Sequence, residues 1–298
     1  MLSRPALIIL LMLCAAAHGA ATKHGTAAAH GPSRPLRVAV LDFGERDTGR
    51  RASKDFATHL LKTGGVEMVD ESQARAAARG VGYAGSLNMT VEQARDLGAA
   101  IGCDFYVTGD AQTLRRSSSS VPVYYEAYAS VFLISARTGR LVNWARARAE
   151  AATPEEAERL LALKSPGLAA SCRDAMKEEA TLEVARRERE MTAEVLEMEE
   201  LPEEDTPAAK GFRPPHPYRR VRPPYTDSAL QAEAEATVDA SVEVNERGEV
   251  LRAEIVRWAG FGLDESVLAT VSALRFRPAT RDGAPVPVRV LLRYNFRR

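Results

Sequence analysis

Phe276–Arg298 reads FRPATRDGAPVPVRVLLRYNFRR. From Val286 onward the stretch alternates. Val286, Val288, Val290, Leu292, Tyr294 and Phe296 fall on one face, and Pro287, Arg289, Leu291, Arg293 and Asn295 on the other. A period of two is the pattern of a strand with one buried side. Pro287 has no N–H to give a ladder, which argues for a sheet edge. Arginines along such an edge discourage indiscriminate pairing. Before the strand, RDGA supplies a turn, and RFRPAT reads as a short extended segment.

Working back from there, ESVLATVSAL carries Val267, Leu268, Val271 and Leu274 on one helical face. Asp264 has the chemistry of an N-cap for that helix, with Leu263 placed to staple onto Leu268. Ahead of it, Ala236–Asn245 alternates through Val238, Ala240, Val242 and Val244. Gly248 turns the chain, and Val250–Ala259 is the return strand. The order is strand, strand, helix, strand.

This ββαβ unit, residues 223–298, resembles the TonB C-terminal domain family. The resemblance rests on PPY, the hairpin VDASVEVNERGEV, GLDESVLATVSALRFRPA and DGAPVPVRVLLRYNF in that order. The chain departs from the family in having Tyr225-Thr226 where Tyr-Pro is usual, and Ala236 where glycine often enters the first strand. The resemblance implies a protein-binding module and not an enzyme. Such a domain takes an extended segment of an outer-membrane receptor or other envelope protein at a sheet edge. Main-chain hydrogen bonds hold that segment and side chains select it. The contact residues expected on this reading are Val286, Val288, Arg289, Val290, Leu291, Leu292, Arg293 and Asn295. The plainer reading has the strand closing the core or pairing in a homodimer.

The front half predicts another fold unit. Residues 36–151 give a strand at Leu36–Phe43, a helix over Arg51–Lys62 and a strand in GGVEMVD. Helices follow in SQARAAAR and in MTVEQARDLGAAIG, the second capped by Thr90, then a strand over Cys103–Leu114 and two more strands joined at RTGR. This order specifies a mixed sheet with helices, so the whole chain is of α+β class. RVAVLDF, GCDFYVTGDAQ and the long hairpin resemble the CsgG-like and TolB-like envelope assembly domains, which implies interaction and no catalytic residues. Gly44–Arg51 has glycines spaced like a phosphate loop, but Arg50 and Arg51 stand where lysine and Ser/Thr are needed. Tyr124, Tyr128 and Phe132 share one strand face, with Tyr125 on the other, and aromatics on strands usually pack.

Residues 152–205 are acidic and helix-forming. Pro154 suits a first turn, and Pro166-Gly167 divides a short helix from a longer one expected over Leu168–Glu200. Leu160, Leu161 and Leu163 are placed to pack on the first domain. Residues 206–222, rich in proline and arginine, predict an extended linker that sets the separation of the two domains. At the front, residues 1–21 have the layout of a secretory signal peptide, with residues 22–35 a flexible lead-in. The alternative is an uncleaved anchor, which would make the chain an inner-membrane energy transducer of TonB type. Spanning a bilayer takes about 20 apolar residues, more than this run offers comfortably.

Formal net charge is zero, with 45% hydrophobic and 27% charged residues, so no global pull toward nucleic acid exists. No CxxC, HExxH or other metal-ligand spacing occurs. Cys103 and Cys172 either pair in an oxidising compartment or stay as buried thiols. No Ser/His/Asp constellation is present, and no cofactor or metal is expected. The reading is an exported, periplasm-facing envelope protein that binds a partner by strand addition, linked to TonB-dependent outer-membrane transport. Membrane contact is expected only if the N-terminus is retained.

Overall fold

The computed structural model describes residues 34–120, 122–190, 198–203 and 206–297. The expected leader or anchor lies outside these residues, as do most of the lead-in and residues 191–197. Among the described residues no helix is long and apolar enough to cross a membrane.

The first unit follows the expected order: β1 (Leu36–Val40), α1 (Asp47–Lys62), β2 (Val66–Met68), α2 (Glu71–Gly80), α3 (Val91–Ile101), β3 (Phe105–Arg116), β4 (Tyr124–Ser135) and β5 (Leu141–Ala151). The sheet runs β2-β1-β3-β4-β5. β1 is parallel to both neighbours, and β3-β4-β5 is an antiparallel meander. β1, the start of β3 and the end of β4 read as apolar runs because both faces are covered there. Val38, Val40, Phe105, Val107, Val131 and Leu133 face α1, α4 (Pro154–Ala162) and α5 (Ser165–Glu190). Ala39, Tyr106, Phe132 and Ile134 face α2 and α3. Thr90 caps α3 in a full capping box with Gln93.

Three details differ from the sequence reading. The helical run divides at Leu163–Lys164, and Pro166 sits in the first turn of α5, where its missing N–H costs nothing. Leu161 is buried and Leu160 partly buried on the sheet, but Leu163 is 69% exposed. The long helix is described only to Glu190, and Glu199-Glu200 form a short strand instead of its end. The two cysteines are free, and burial pushes both thiols up to about 12.

The second unit contains β6 (Glu199–Glu200), β7 (Phe212–Arg213), β8 (His216–Pro217), α6 (Asp227–Ala232), β9 (Ala236–Val244), β10 (Val250–Arg257) and α7 (Leu263–Ser272). After them come β11 (Phe276–Arg277), β12 (Ala279–Arg281), β13 (Ala284–Val286) and β14 (Val288–Phe296). The main sheet is β10-β9-β14-β6. Val238, Val242, Val244, Val267, Val271, Phe276, Val288 and Phe296 form its core. Gly248 closes the β9–β10 turn at φ 78°, and a Cβ there would sit 1.8 Å from the Phe276 carbonyl oxygen.

Here too the fold corrects expectations. The final strand is interrupted at Pro287, so Val286 belongs to β13, paired with β12. Asp264 is not the N-cap of α7. Gly262 holds that position, and Asp264 accepts the N–H groups of Ala259 and Gly260 at 2.9 and 2.8 Å. Thr226 caps α6, which the sequence reading did not include, by accepting from Ala229 N–H at 3.1 Å.

The linker does not hold the two units apart. β7 pairs with β12 and β8 with β11, so its residues are stitched to the second unit. The units also share a core. Trp258, 1% exposed, lies in the α2–α3 face of the first sheet, its ring 6.1 Å from Phe132. Phe261 packs edge-on to Phe132 at 5.4 Å. Trp258 Nε1 donates to Gly139 O at 3.2 Å. Asn88 donates to Thr237 O and Trp258 O at 2.8 and 2.6 Å, and accepts from Thr237 N–H at 3.1 Å.

Asn88→Ala leaves three main-chain groups at this junction without their partner. It should lower the unfolding free energy by about 2 kcal/mol. Hydrogen exchange should show faster exchange at Thr237 while the amides of β3 and β4 stay protected. Unchanged protection of Thr237 would mean that the junction is held by the aromatic cluster alone.

Candidate functional site

β14 pairs with β9 along its whole length, from Val288↔Val244 to Phe296↔Ala236, with no bulge. On its other side the chain's own β6 runs parallel, matched only to Val288 and Arg289. Glu199 N–H donates to Pro287 O at 3.0 Å. In a strand the N–H and C=O of one residue point to the same side, and alternate residues repeat the direction. The main-chain groups of Leu291, Arg293 and Asn295 therefore point away from β9. Among the described residues no strand pairs with them.

The side chains follow the expected division. Val288, Val290 and Phe296 are buried, and Leu292 and Tyr294 partly so. Arg289, Leu291, Arg293 and Asn295 are exposed, Leu291 by 57%. Val286 stands apart on β13. The first part of the edge is not open, because Arg281 holds Glu199 in place with Nε and Nη2 at 2.9 and 2.8 Å from its carboxylate. Neither Glu199 nor Arg281 was marked by the sequence. Their pairing joins residues far apart along the chain, and two-residue strands carry no readable period.

The arginines are not free. Arg293 grips Asp239 through Nε and Nη2 at 2.7 and 3.0 Å, and Arg257 Nε reaches the same carboxylate at 3.1 Å. Arg289 donates to Glu243 at 3.1 Å, and Thr237 Oγ1 to Asn295 Oδ1 at 2.8 Å. Asp239 is only 3% exposed. The hydrogen bonds from Arg293 hold its carboxyl below the usual range, against the cost of burial and with help from Arg257. The sequence contains this ladder: Thr237, Asp239 and Glu243 oppose Asn295, Arg293 and Arg289 once the register is known. The exposed face is thus rigid, and the open main-chain edge lies beside it.

Nothing comparable forms at the other candidate positions. Arg50 turns back onto Asp47 and the Glu45 carbonyl, so the Gly44–Arg51 loop presents no free cradle. Tyr128 is buried, donates to Asp110 at 2.6 Å and lies 4.0 Å under the Arg146 guanidinium. Among the described residues no group of His, Cys, Asp or Glu is placed to hold a metal.

Asp239→Asn should cost roughly 1–2 kcal/mol at pH 7, a figure kept small because Arg293 is largely exposed and screened. The folded carboxyl is depressed, so its contribution is present above the unfolded value near ~3.9. It is lost as pH falls through the folded value. Urea unfolding of wild type and variant should therefore converge as pH falls below about 4. A gap that persists at acid pH would show that packing, not charge, sets the cost.

Residues 221–297 match the family model described as Gram-negative bacterial TonB protein C-terminal. No curated protein matches the sequence. Solved structures similar to part of the chain include the LpoB C-terminal domain from Salmonella enterica, at 13% identity over 40% of this chain and 85% of that one, TM-score 0.29. The PelC dodecamer from Paraburkholderia phytofirmans matches at 17% identity over 46% and 92%, TM-score 0.29. Lipoprotein GNA1162 from Neisseria meningitidis matches at 12% identity over 47% and 99%, TM-score 0.33. The C-terminal part of this chain, residues 221–297, is a TonB C-terminal domain.

Proposed function

We propose that this protein is a periplasm-facing adaptor that captures an extended segment of an envelope partner along β14. It acts by binding and not by catalysis. The observation that carries the reading is the unpaired outer edge beyond Arg289, with main-chain groups of Leu291, Arg293 and Asn295 turned outward. Added strands are held by such groups, and their side chains are read by the exposed face. The family match supports an outer-membrane receptor or another envelope protein as the partner, and a link to TonB-dependent transport. The shared aromatic core supports a compact adaptor over a transducer whose domains are separated by a long spacer.

Proline separates backbone capture from side-chain contact. At position 291 it removes an outward N–H and leaves the β9 ladder intact. A photoreactive benzoylphenylalanine at Asn295 should give defined adducts in whole cells. Leu291→Pro should abolish them and Leu291→Ala should leave them, both variants being checked by circular dichroism and thermal unfolding. Adducts that survive Leu291→Pro in a folded protein would sink the strand-addition model.

A further inference from the structure

Residues 212–222, FRPPHPYRRVR, contain four arginines and no carboxylate. As a linker this run would be one charged stretch among acidic neighbours. The fold instead lays it on the second unit. β8 pairs with β11, and Tyr218 N–H donates to Arg275 O at 2.9 Å. Phe276 is buried, so Arg275 and Arg277 on either side of it turn to solvent. The Arg277 guanidinium lies 5.9 Å from the centre of the Tyr218 ring. Arg219, Arg220, Val221 and Arg222 follow, all exposed. Arg275 is paired with Glu249 at 3.1 Å. Among the described residues Arg219, Arg220, Arg222 and Arg277 make no ion pair.

Two features single out a lipid surface as the occupant. The cations are interleaved with Tyr218, 63% exposed, and Val221, 47% exposed. Aromatic rings settle at the headgroup level, and arginines meet anionic headgroups. This choice rests on the periplasm-facing location proposed above, where anionic bilayers are at hand and nucleic acid is not. We infer that Tyr218–Arg222, together with Arg277, docks the second unit on an anionic phospholipid surface. On this reading membrane contact does not depend on the N-terminus alone. Contact through this face is independent of strand capture along β14.

Vesicle co-sedimentation of the full chain tests this. The readout is the ratio of partition onto phosphatidylglycerol-containing vesicles to partition onto pure phosphatidylcholine vesicles, which cancels any insertion by the N-terminal segment. At about fivefold per surface arginine, replacing Arg219, Arg220 and Arg222 by glutamine should lower the ratio roughly a hundredfold. Replacing Arg46, Arg79 and Arg148 instead, exposed arginines of the first unit, removes the same charge and should leave the ratio nearly unchanged. Raising salt from about 0.05 M to about 0.3 M should weaken the preference. A ratio near one for the wild type overturns the proposal, as does a preference that survives the first triple variant. An oligothymidylate or a polyglutamate peptide bound more tightly than the anionic vesicles would assign the face to that polyanion instead.

Discussion

The burial of Trp258 in the first sheet is the constraint on which the rest depends. The α2–α3 face of that sheet carries Phe132 and Ile134 beyond what two short helices cover. Burying a large side chain of this kind contributes about 2–3 kcal/mol, and aromatic pairing adds to it. The loop that delivers Trp258 must then turn sharply within van der Waals contact of Phe132. Gly260 allows this with φ 73°, since a Cβ there would lie 2.6 Å from the Phe132 ring. Asp264 holds the loop from below by taking two of its N–H groups. Burial pushes that carboxyl up to about 7, against the pull of the same donors.

Much of this architecture was legible in the sequence because its signals are local. Alternation in Ala236–Val244 and Val288–Phe296 marks strands buried on one side. Continuous apolar runs such as Phe105–Val107 mark strands buried on both. Thr90 and Pro154 mark helix starts through chemistry that acts within one turn. What stayed hidden involves partners far apart along the chain. Asn88 and Trp258 meet across 170 positions, and no period connects them. Asp264 departs from its sequence signal for a related reason. Its spacing suits a cap, but a buried loop with two unsatisfied donors lies closer than the helix end. Pro166 carries the signal of a breaker, although the same missing N–H is harmless in a first turn.

The arginines of β14 show how register changes meaning. Read alone, they protect an edge from stray pairing. Read against β9, they are cross-strand partners of Asp239 and Glu243, and they stiffen the strand that bears them. A stiff edge loses little conformational freedom when another strand joins it, which favours capture. The chain's own β6 already occupies the groups nearest Pro287, so the fold shows by example that this edge accepts a parallel strand.

That same occupancy limits what the open part can supply. Three residues face outward beyond β6, giving at most six main-chain hydrogen bonds. At a net contribution of about 0.5–1.5 kcal/mol each, they provide roughly 3–9 kcal/mol. Association itself costs an estimated ~4–15 kcal/mol in lost motion. Main-chain pairing alone therefore leaves at best weak binding. The deficit has to be met by side-chain contacts spread along the exposed face or by a second attachment that raises the local concentration of the partner. Fusion of the two units through Trp258 favours the latter. Because the two units share one core, any contact made by the first would count toward holding a partner proposed to add at β14.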